Sequence, residues 1–356
     1  MPLSPSDKLL VHLPDPPPPG WLDAVAARFP QLAVRWEMAA LDAAASDLAS
    51  ADTLPREVLD GVTLLCVYPP PSARAIPDVR WVQLASAGSD RWLGHETYRD
   101  PRVVFCSASG CQPPQMAEWV IGAWLAHEHH FRLYADQQRR ADWCARVADR
   151  PVADSVGRRM GILGYGPIGR QCAHLARALG MQIHAYTRRP RPTPDSRRHD
   201  GYSVPGTGDP DGLMPARWFH GAALDEFLAG GLDVLVVAAP LSDATRGLIG
   251  RQQFRLMSGG TAGKKTFLCN VARGPIVDTG ALIEALEQGL ISGAALDVTD
   301  PEPLPRDHPL WKAPNVFITP HVSWQSTSLV HRVAGLIMEN LERLDKGEPL
   351  LNRIDR

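Results

Sequence analysis

The sequence predicts an α/β protein built on parallel β-sheets. Three observations support this class. Short apolar and β-branched runs alternate with amphipathic stretches, the rhythm of strand, crossover helix and parallel strand. Ten such runs occur, which favours two sheets over one. One of them leads straight into a glycine-rich hexamer and then a helical pattern, completing a βαβ unit.

The strands are expected at residues 8–13, 62–67, 81–85, 103–107, 160–163, 182–186, 234–238, 266–270, 294–298 and 316–319. After Pro113 and Pro114, residues 115 to about 142 lack proline and hold one glycine, Gly122. Met116, Trp119, Val120, Ala123 and Trp124 fall at helical spacing there, which predicts one long helix. A second long helix is predicted over 326–346, with Leu329, Val330, Val333, Leu336, Ile337, Asn340, Leu341 and Leu344 on one stripe and Gly347 as its stop. Two such helices would carry the chain between domains. Residues 188–221 are dense in Pro, Gly, Asp and Arg and show neither helical nor strand periodicity, so they read as a loop insertion. Loops of that length are usually functional or mobile.

Composition bounds the function. The 356 residues leave room for two domains at roughly 100 to 200 residues each. Lysine plus arginine total 37 against 39 acidic residues, and a net charge of -2 provides no field to attract nucleic acid or an anionic membrane. The six cysteines include no C-x-x-C pair and no zinc-like spacing, so they read as reduced, mostly buried thiols. The one apolar stretch near the N-terminus is cut off by prolines, too short for a signal peptide or a membrane span, which makes the cytosol the expected compartment.

The hexamer Gly164-Tyr165-Gly166-Pro167-Ile168-Gly169 has the G-x-G-x-x-G form of a dinucleotide-binding turn. Glycine is needed for a tight turn at Gly164, for close approach of a pyrophosphate at Gly166, and for helix-to-strand packing at Gly169. Pro167 lacks an N–H but suits a first helical turn, and the Ile168 amide remains to meet the anion. About 20 residues on, NAD-binding folds place an acid that holds the ribose 2′-hydroxyl. This chain has Thr187-Arg188-Arg189 instead. A hydroxyl followed by guanidinium groups suits a 2′-phosphate, so NADP(H) is the preferred cofactor and NAD(H) the second.

Downstream come Asn270-Val271-Ala272-Arg273-Gly274, then Ala295-Leu296-Asp297-Val298 with Pro301-Glu302-Pro303, then Thr319-Pro320-His321. Each follows a predicted strand, and ligands of open α/β sheets sit at the carboxyl ends of the strands, so these residues would converge. They supply what reduction of a 2-keto acid requires. Arg273 would bind the substrate carboxylate and polarise the carbonyl, His321 would be the general acid in reduction and the base in oxidation, and Glu302 would orient it.

Through GYGPIG, NVARGPIVD, GAALDV, PEPLP, HPLW and NVFITPH, the chain resembles the D-isomer-specific 2-hydroxyacid dehydrogenase family over most of 83–345. The resemblance implies a Rossmann-type doubly wound sheet inserted into a smaller flavodoxin-like α/β substrate domain. The corresponding ranges are 1–114 and 322–356 for the substrate domain and 115–321 for the cofactor domain, and a homodimer is implied. It places Asp297 near the nicotinamide carboxamide and Ala87 and Gly88 in the loop that holds the substrate carboxylate. The resemblance also implies that Ala239, Pro240 and Thr245 line the cofactor cleft, with Val271 and Ala272 among the cofactor contacts. The family usually has small residues where this chain has Ser323-Trp324, so Trp324 becomes a candidate substrate contact. Hydroxypyruvate or glyoxylate is the substrate implied for an NADP-preferring member.

The run His127-Glu128-His129-His130 does not make a metal site, because consecutive helical side chains diverge and the spacing is not H-E-x-x-H. Two other functions use the same fold: a corepressor-like binding module that senses the dinucleotide, and oxidation of formate-like or phosphite-like anions with NAD. The complete Arg, Glu and His set favours turnover of a 2-keto acid.

Overall fold

The computed structural model describes residues 2–42, 47–144, 152–259 and 265–355. The chain divides into two compact units. Unit 1 takes Met1–Gln112, Gly201–Val204 and Ser326–Arg356, and unit 2 takes Pro113–Asp200 and Pro205–Gln325.

These divisions fall at 112/113 and 325/326 rather than at 114/115 and 321/322, and four residues of the insertion belong to unit 1. Positions 1 and 356, the outer bounds of the predicted ranges, lie outside the described residues. The shifts have local causes. Pro113 and Pro114 form the first turn of a helix instead of preceding it, a place where the missing N–H costs nothing. Residues 322 and 323 are bonded to Asp297 within unit 2.

Unit 1 begins β1 (Lys8–Leu13), α1 (Trp21–Arg28), β2 (Ala33–Met38), a small antiparallel pair β3 (Leu41–Asp42) and β4 (Asp47–Leu48), then α2 (Arg56–Leu59), β5 (Leu64–Val67), β6 (Trp81–Leu84), α3 (Glu96–Arg99) and β7 (Val104–Cys106). Its main sheet runs β2-β1-β5-β6-β7, all parallel, which is the flavodoxin-like order. β5 and β6 are buried throughout, as strands covered on both faces should be, and the one polar side chain among them, Gln83 of β6, is hydrogen-bonded to the Leu84 and Cys106 carbonyls. β2 is absent from the predicted strands. It is an edge strand whose Arg35 and Glu37 interrupt the apolar signal.

Unit 2 continues with α4 (Pro113–Glu128), α5 (Phe131–Arg139), β8 (Arg159–Leu163), α6 (Pro167–Ala178), β9 (Gln182–Thr187), α7 (Pro194–Arg197), β10 (Pro215–His220), α8 (Leu224–Leu228), β11 (Val234–Val237), α9 (Arg251–Leu256), β12 (Phe267–Asn270), α10 (Thr279–Glu287), β13 (Gly293–Leu296) and β14 (Val316–Ile318). Its parallel sheet runs β10-β9-β8-β11-β12-β13-β14. After β8 the chain builds outward to β10, then returns to β11 on the other side of β8. That reversal opens a crevice at the carboxyl ends of β8 and β11.

Both faces are covered, and the strands alternate accordingly. Met160, Ile162, Val234 and Val236 pack with Trp124 of α4 and Cys172 of α6, while Leu163, Leu235 and Val237 pack with Phe227 of α8 and Phe254 of α9. Unit 2 is a Rossmann-type doubly wound sheet.

Two predicted elements differ. The single helix over 115–142 is two helices, broken where His130 takes a left-handed backbone with φ 56°. The residues 188–221 are not structureless: they contain α7, closed by a reciprocal Thr193 and Ser196 cap, and β10, which adds an edge strand beside β9. β10 starts with proline and bulges between Pro215 and Arg217, which hides its period.

The last helix, α11 (Leu329–Lys346), returns to unit 1, where Val333, Ala334, Ile337 and Leu341 pack with Leu9 and Val11. Gly347, with φ 69°, ends it. Among the described residues no helix is long and apolar enough to cross a membrane.

Candidate active site

The glycine turn leaves β8 at Leu163 and enters α6 at Pro167. Gly164 has φ 99°, and a Cβ there would come within 2.6 Å of the Ala239 nitrogen, so the turn and the exit of β11 touch. A Cβ on Gly169 would lie 2.4 Å from the Gly164 carbonyl oxygen, whereas one on Gly166 would meet nothing within 4 Å. Only Gly166 therefore borders open space, and it stands at the start of α6 with no side-chain cap on the helix. First-turn amides without such a cap, on the positive end of a helix, suit a pyrophosphate. Tyr165 contributes only its backbone to this edge, because its side chain is buried and its hydroxyl donates to Asp209 Oδ2 at 2.7 Å.

Thr187 ends β9, and its hydroxyl donates to the Arg189 carbonyl at 2.8 Å. Arg188 and Arg189 are exposed, and neither guanidinium has a protein partner among the described residues. The other arginines of the insertion are occupied. Arg191 donates to the Ser196 carbonyl, Arg197 donates to the Arg191 carbonyl at 2.9 Å, and Arg198 pairs with Asp211 at 3.3 Å. His220 ends β10 directly opposite Thr187, a neighbour that sequence reasoning missed because β10 itself was not recognised. After β11, the Thr245 hydroxyl donates to the Pro240 carbonyl and accepts from the Ser242 amide, both at 2.8 Å, so it closes its own turn.

At the end of β12, the Asn270 side chain shapes the turn that presents Arg273. Its Oδ1 accepts from the Ala272 amide and its Nδ2 donates to the Arg273 carbonyl, both at 3.1 Å. Val271 and Ala272 are buried, and the half-buried Arg273 donates to the Ala272 carbonyl at 2.7 Å. Glu302 Oε1 lies 2.6 Å from His321 Nδ1, and the Thr299 amide donates to the other oxygen at 3.4 Å. Burial opposes ionisation of Glu302, but the hydrogen bond and charge of His321, the Thr299 amide and the charge of Arg273 outweigh it and hold this carboxyl below its ordinary range. An ionised Glu302 accepts the proton on Nδ1, which leaves Nε2 of His321 for a reacting group.

The loop carrying His321 is held from several sides. His321 itself is left-handed, with φ 55°. Its amide donates to the carbonyls of Asp297 and Thr319, at 2.8 and 3.0 Å, and its carbonyl accepts from Trp324 Nε1 at 2.8 Å. Asp297, expected beside the nicotinamide, and Trp324, expected against substrate, both bond to the loop that carries His321. Asp297 is buried, and its two oxygens accept from the Thr319 hydroxyl, the Val322 amide, the Ser323 amide and the Ser323 hydroxyl, at 2.6 to 3.0 Å. Four donors occupy the carboxylate, so it anchors the histidine loop. The Trp324 indole packs on the apolar core of unit 2, and its carbonyl accepts from Gln115 Nε2 of α4 at 2.7 Å.

Ala87 and Gly88 follow β6 in unit 1, where the Ser86 hydroxyl donates to the Gly88 carbonyl at 2.7 Å. In the histidine-rich run, the side chains go to separate neighbours. His127 stacks on Phe267 with centroids 4.3 Å apart, and Glu128 lies 3.7 Å from Arg158.

Comparison with known proteins agrees with the motifs. Residues 121–205 and 215–323 match the model of the NAD binding domain of D-isomer specific 2-hydroxyacid dehydrogenases. A glycerate dehydrogenase of Methylorubrum extorquens is 28% identical over 282 residues, covering 78% of this chain and 79% of that protein. A D-isomer specific 2-hydroxyacid dehydrogenase family protein of Aeromonas salmonicida superposes with a TM-score of 0.74 at 27% identity, covering 98% of this chain and 99% of the other. An NADPH-dependent glyoxylate/hydroxypyruvate reductase of Sinorhizobium meliloti, solved with NADP and sulfate, superposes with a TM-score of 0.72 at 25% identity and covers 98% of both chains. The chain belongs to the D-isomer specific 2-hydroxyacid dehydrogenase family, oxidoreductases acting on the CH–OH group.

Proposed function

We propose that the protein is an NADP(H)-preferring reductase that converts a small 2-keto acid, glyoxylate or hydroxypyruvate, to its 2-hydroxy acid, of D configuration where the product is chiral, and that it works as a cytosolic homodimer. The observation that carries the reaction is the 2.6 Å pair of His321 and Glu302 with Arg273 in the same electrostatic neighbourhood. The nicotinamide, when bound, supplies the hydride. Arg273 holds the substrate carboxylate and draws electron density toward the carbonyl oxygen. His321 Nε2 delivers a proton to that oxygen in reduction and removes it in oxidation. Glu302 remains ionised and fixes the ring, while Asp297 and Trp324 fix the backbone that carries it.

The cofactor preference rests on two features. No acid stands at Thr187 to repel a 2′-phosphate, and Arg188 and Arg189 are the insertion's arginines with no protein partner among the described residues. The Sinorhizobium meliloti reductase, solved with NADP, supports both the cofactor and the substrate class.

The test is a panel of 2-keto acids with purified protein and NADPH or NADH, following nicotinamide absorbance, with chiral analysis of the product. Glyoxylate or hydroxypyruvate should be reduced, with a higher kcat/KM for NADPH and D-glycerate from hydroxypyruvate. Arg188→Ala should lower kcat/KM for NADPH by about tenfold, the loss of one charge-assisted contact, and leave NADH nearly unaffected. No oxidation of either nucleotide by any 2-keto acid would overturn the proposal.

A further inference from the structure

The insertion is welded to the glycine turn. Tyr165 lies between Gly164 and Gly166, the two most permissive residues of that turn, and is 5% exposed. Its hydroxyl donates to Asp209 Oδ2, and the Asp209 carboxylate also accepts from the Leu213 and Met214 amides at 2.9 and 3.0 Å. Burial, then Asp209, holds the phenol far above its ordinary range, so it stays a donor at every working pH. One helical face of α6 grips the same segment. Arg170 donates to the Asp209 and Arg197 carbonyls, Gln171 accepts from the Gly208 amide, and His174 Nδ1 lies 3.0 Å from the Gly208 carbonyl. The Tyr165 ring is also enclosed, by the Trp218 edge at 5.0 Å and the Arg170 guanidinium over its face at 5.0 Å. Residues 206–214, which include Asp209, lie between the two stretches that match the family model.

We propose that this part of the insertion is a buttress for the phosphate-binding turn, with Tyr165 and Asp209 as positioning residues for the dinucleotide pyrophosphate. The inference rests on the reading that the turn binds a dinucleotide. A glycine-flanked residue would otherwise sample many backbone states, and aiming the turn's amides at an anion would cost that freedom on binding. Pinning Tyr165 from behind removes the cost in advance. Because the pyrophosphate is common to both coenzymes, the buttress acts equally on NADPH and NADH, unlike Arg188.

The experiment measures Kd for NADPH and for NADH by calorimetry, without substrate, on the parent protein, Tyr165→Phe, Asp209→Asn and Asp209→Ala. Circular dichroism at the working temperature verifies that each is folded. Tyr165→Phe should weaken both coenzymes about fivefold or more and leave their ratio unchanged. Asp209→Ala should weaken them further, and Asp209→Asn, which keeps an oxygen acceptor, should recover part of the loss. At saturating coenzyme, kcat should stay within about twofold while KM for coenzyme rises. Parent-like affinities in folded Tyr165→Phe and Asp209→Ala would overturn the buttress and leave the functional reading intact, as would a loss confined to NADPH. A parent protein that binds neither coenzyme would overturn both.

Discussion

His321 adopts a left-handed backbone, which costs a non-glycine residue roughly 1 to 2 kcal/mol. Its neighbours hold it there through three backbone hydrogen bonds, and the Trp324 indole supplies the one to its carbonyl. Trp324→Phe keeps most of the packing and deletes the donor. The ring of His321 should then be aimed less well, and kcat should fall about tenfold while KM for coenzyme holds. His321→Gln, which removes the proton donor itself, should cost about 100 to 10,000-fold. Steady-state kinetics on the two variants checks both, and an unchanged kcat in Trp324→Phe removes the indole from any positioning role. The sequence exposes Arg273, Glu302 and His321 readily, since each sits in a distinctive motif just after a strand. It does not expose the tasks of Asp297 and Trp324. Those depend on which donors meet a carboxylate and which carbonyl meets an indole, and residues 319 to 323 must fold before either question has an answer.

β9 carries a buried histidine whose protonation state ties strand stability to pH. His184 is 4% exposed, and its Nδ1 has no hydrogen-bond partner. Burial above all, with Arg159 and Arg217 adding like charge, depresses its pKa from 6.5 to about 4. The sign follows from linkage. Below pH 6.5 the unfolded chain takes up a proton that the folded strand refuses until about pH 4, so stability is complete above 6.5 and lost as pH falls between those values. Between pH 7.5 and pH 5 the loss should be about 2 kcal/mol, and His184→Gln should remove that part of the slope. Urea unfolding of both proteins at the two pH values checks this, and parallel slopes would show that His184 does not carry the dependence. At this scale the central strands were legible because apolar residues dominate them. β2 and β10 were not. Edge strands bury less, so charge and proline are tolerated in them and dilute the pattern that identifies a strand.

Across the whole molecule, two parallel sheets could be read from the alternation of strands and helices, and their fold types followed from the family resemblance. The assignment of Gly201–Val204 to unit 1 could not. It depends on Tyr202, whose amide donates to Asn352 Oδ1 at 3.1 Å and whose ring joins a core built from both ends of the chain. The proposed homodimer makes a claim at this same scale. Among the described residues, exposed large apolar side chains concentrate in 131–144 and 152–156, where Phe131, Tyr134, Trp143, Val152 and Val156 all face out and Trp143 is fully exposed. Phe131 and Tyr134 share one face of α5, three residues apart. Clustered exposed apolar side chains mark contact surfaces, and a two-fold axis beside these residues would bury them twice over. Light scattering should therefore give a mass of twice 38.9 kDa. A Phe131→Asp, Trp143→Asp double variant should shift toward monomer, because burying two carboxylates in an apolar contact costs several kcal/mol. A monomeric parent removes the dimer, and a double variant that stays dimeric places its interface elsewhere on the surface.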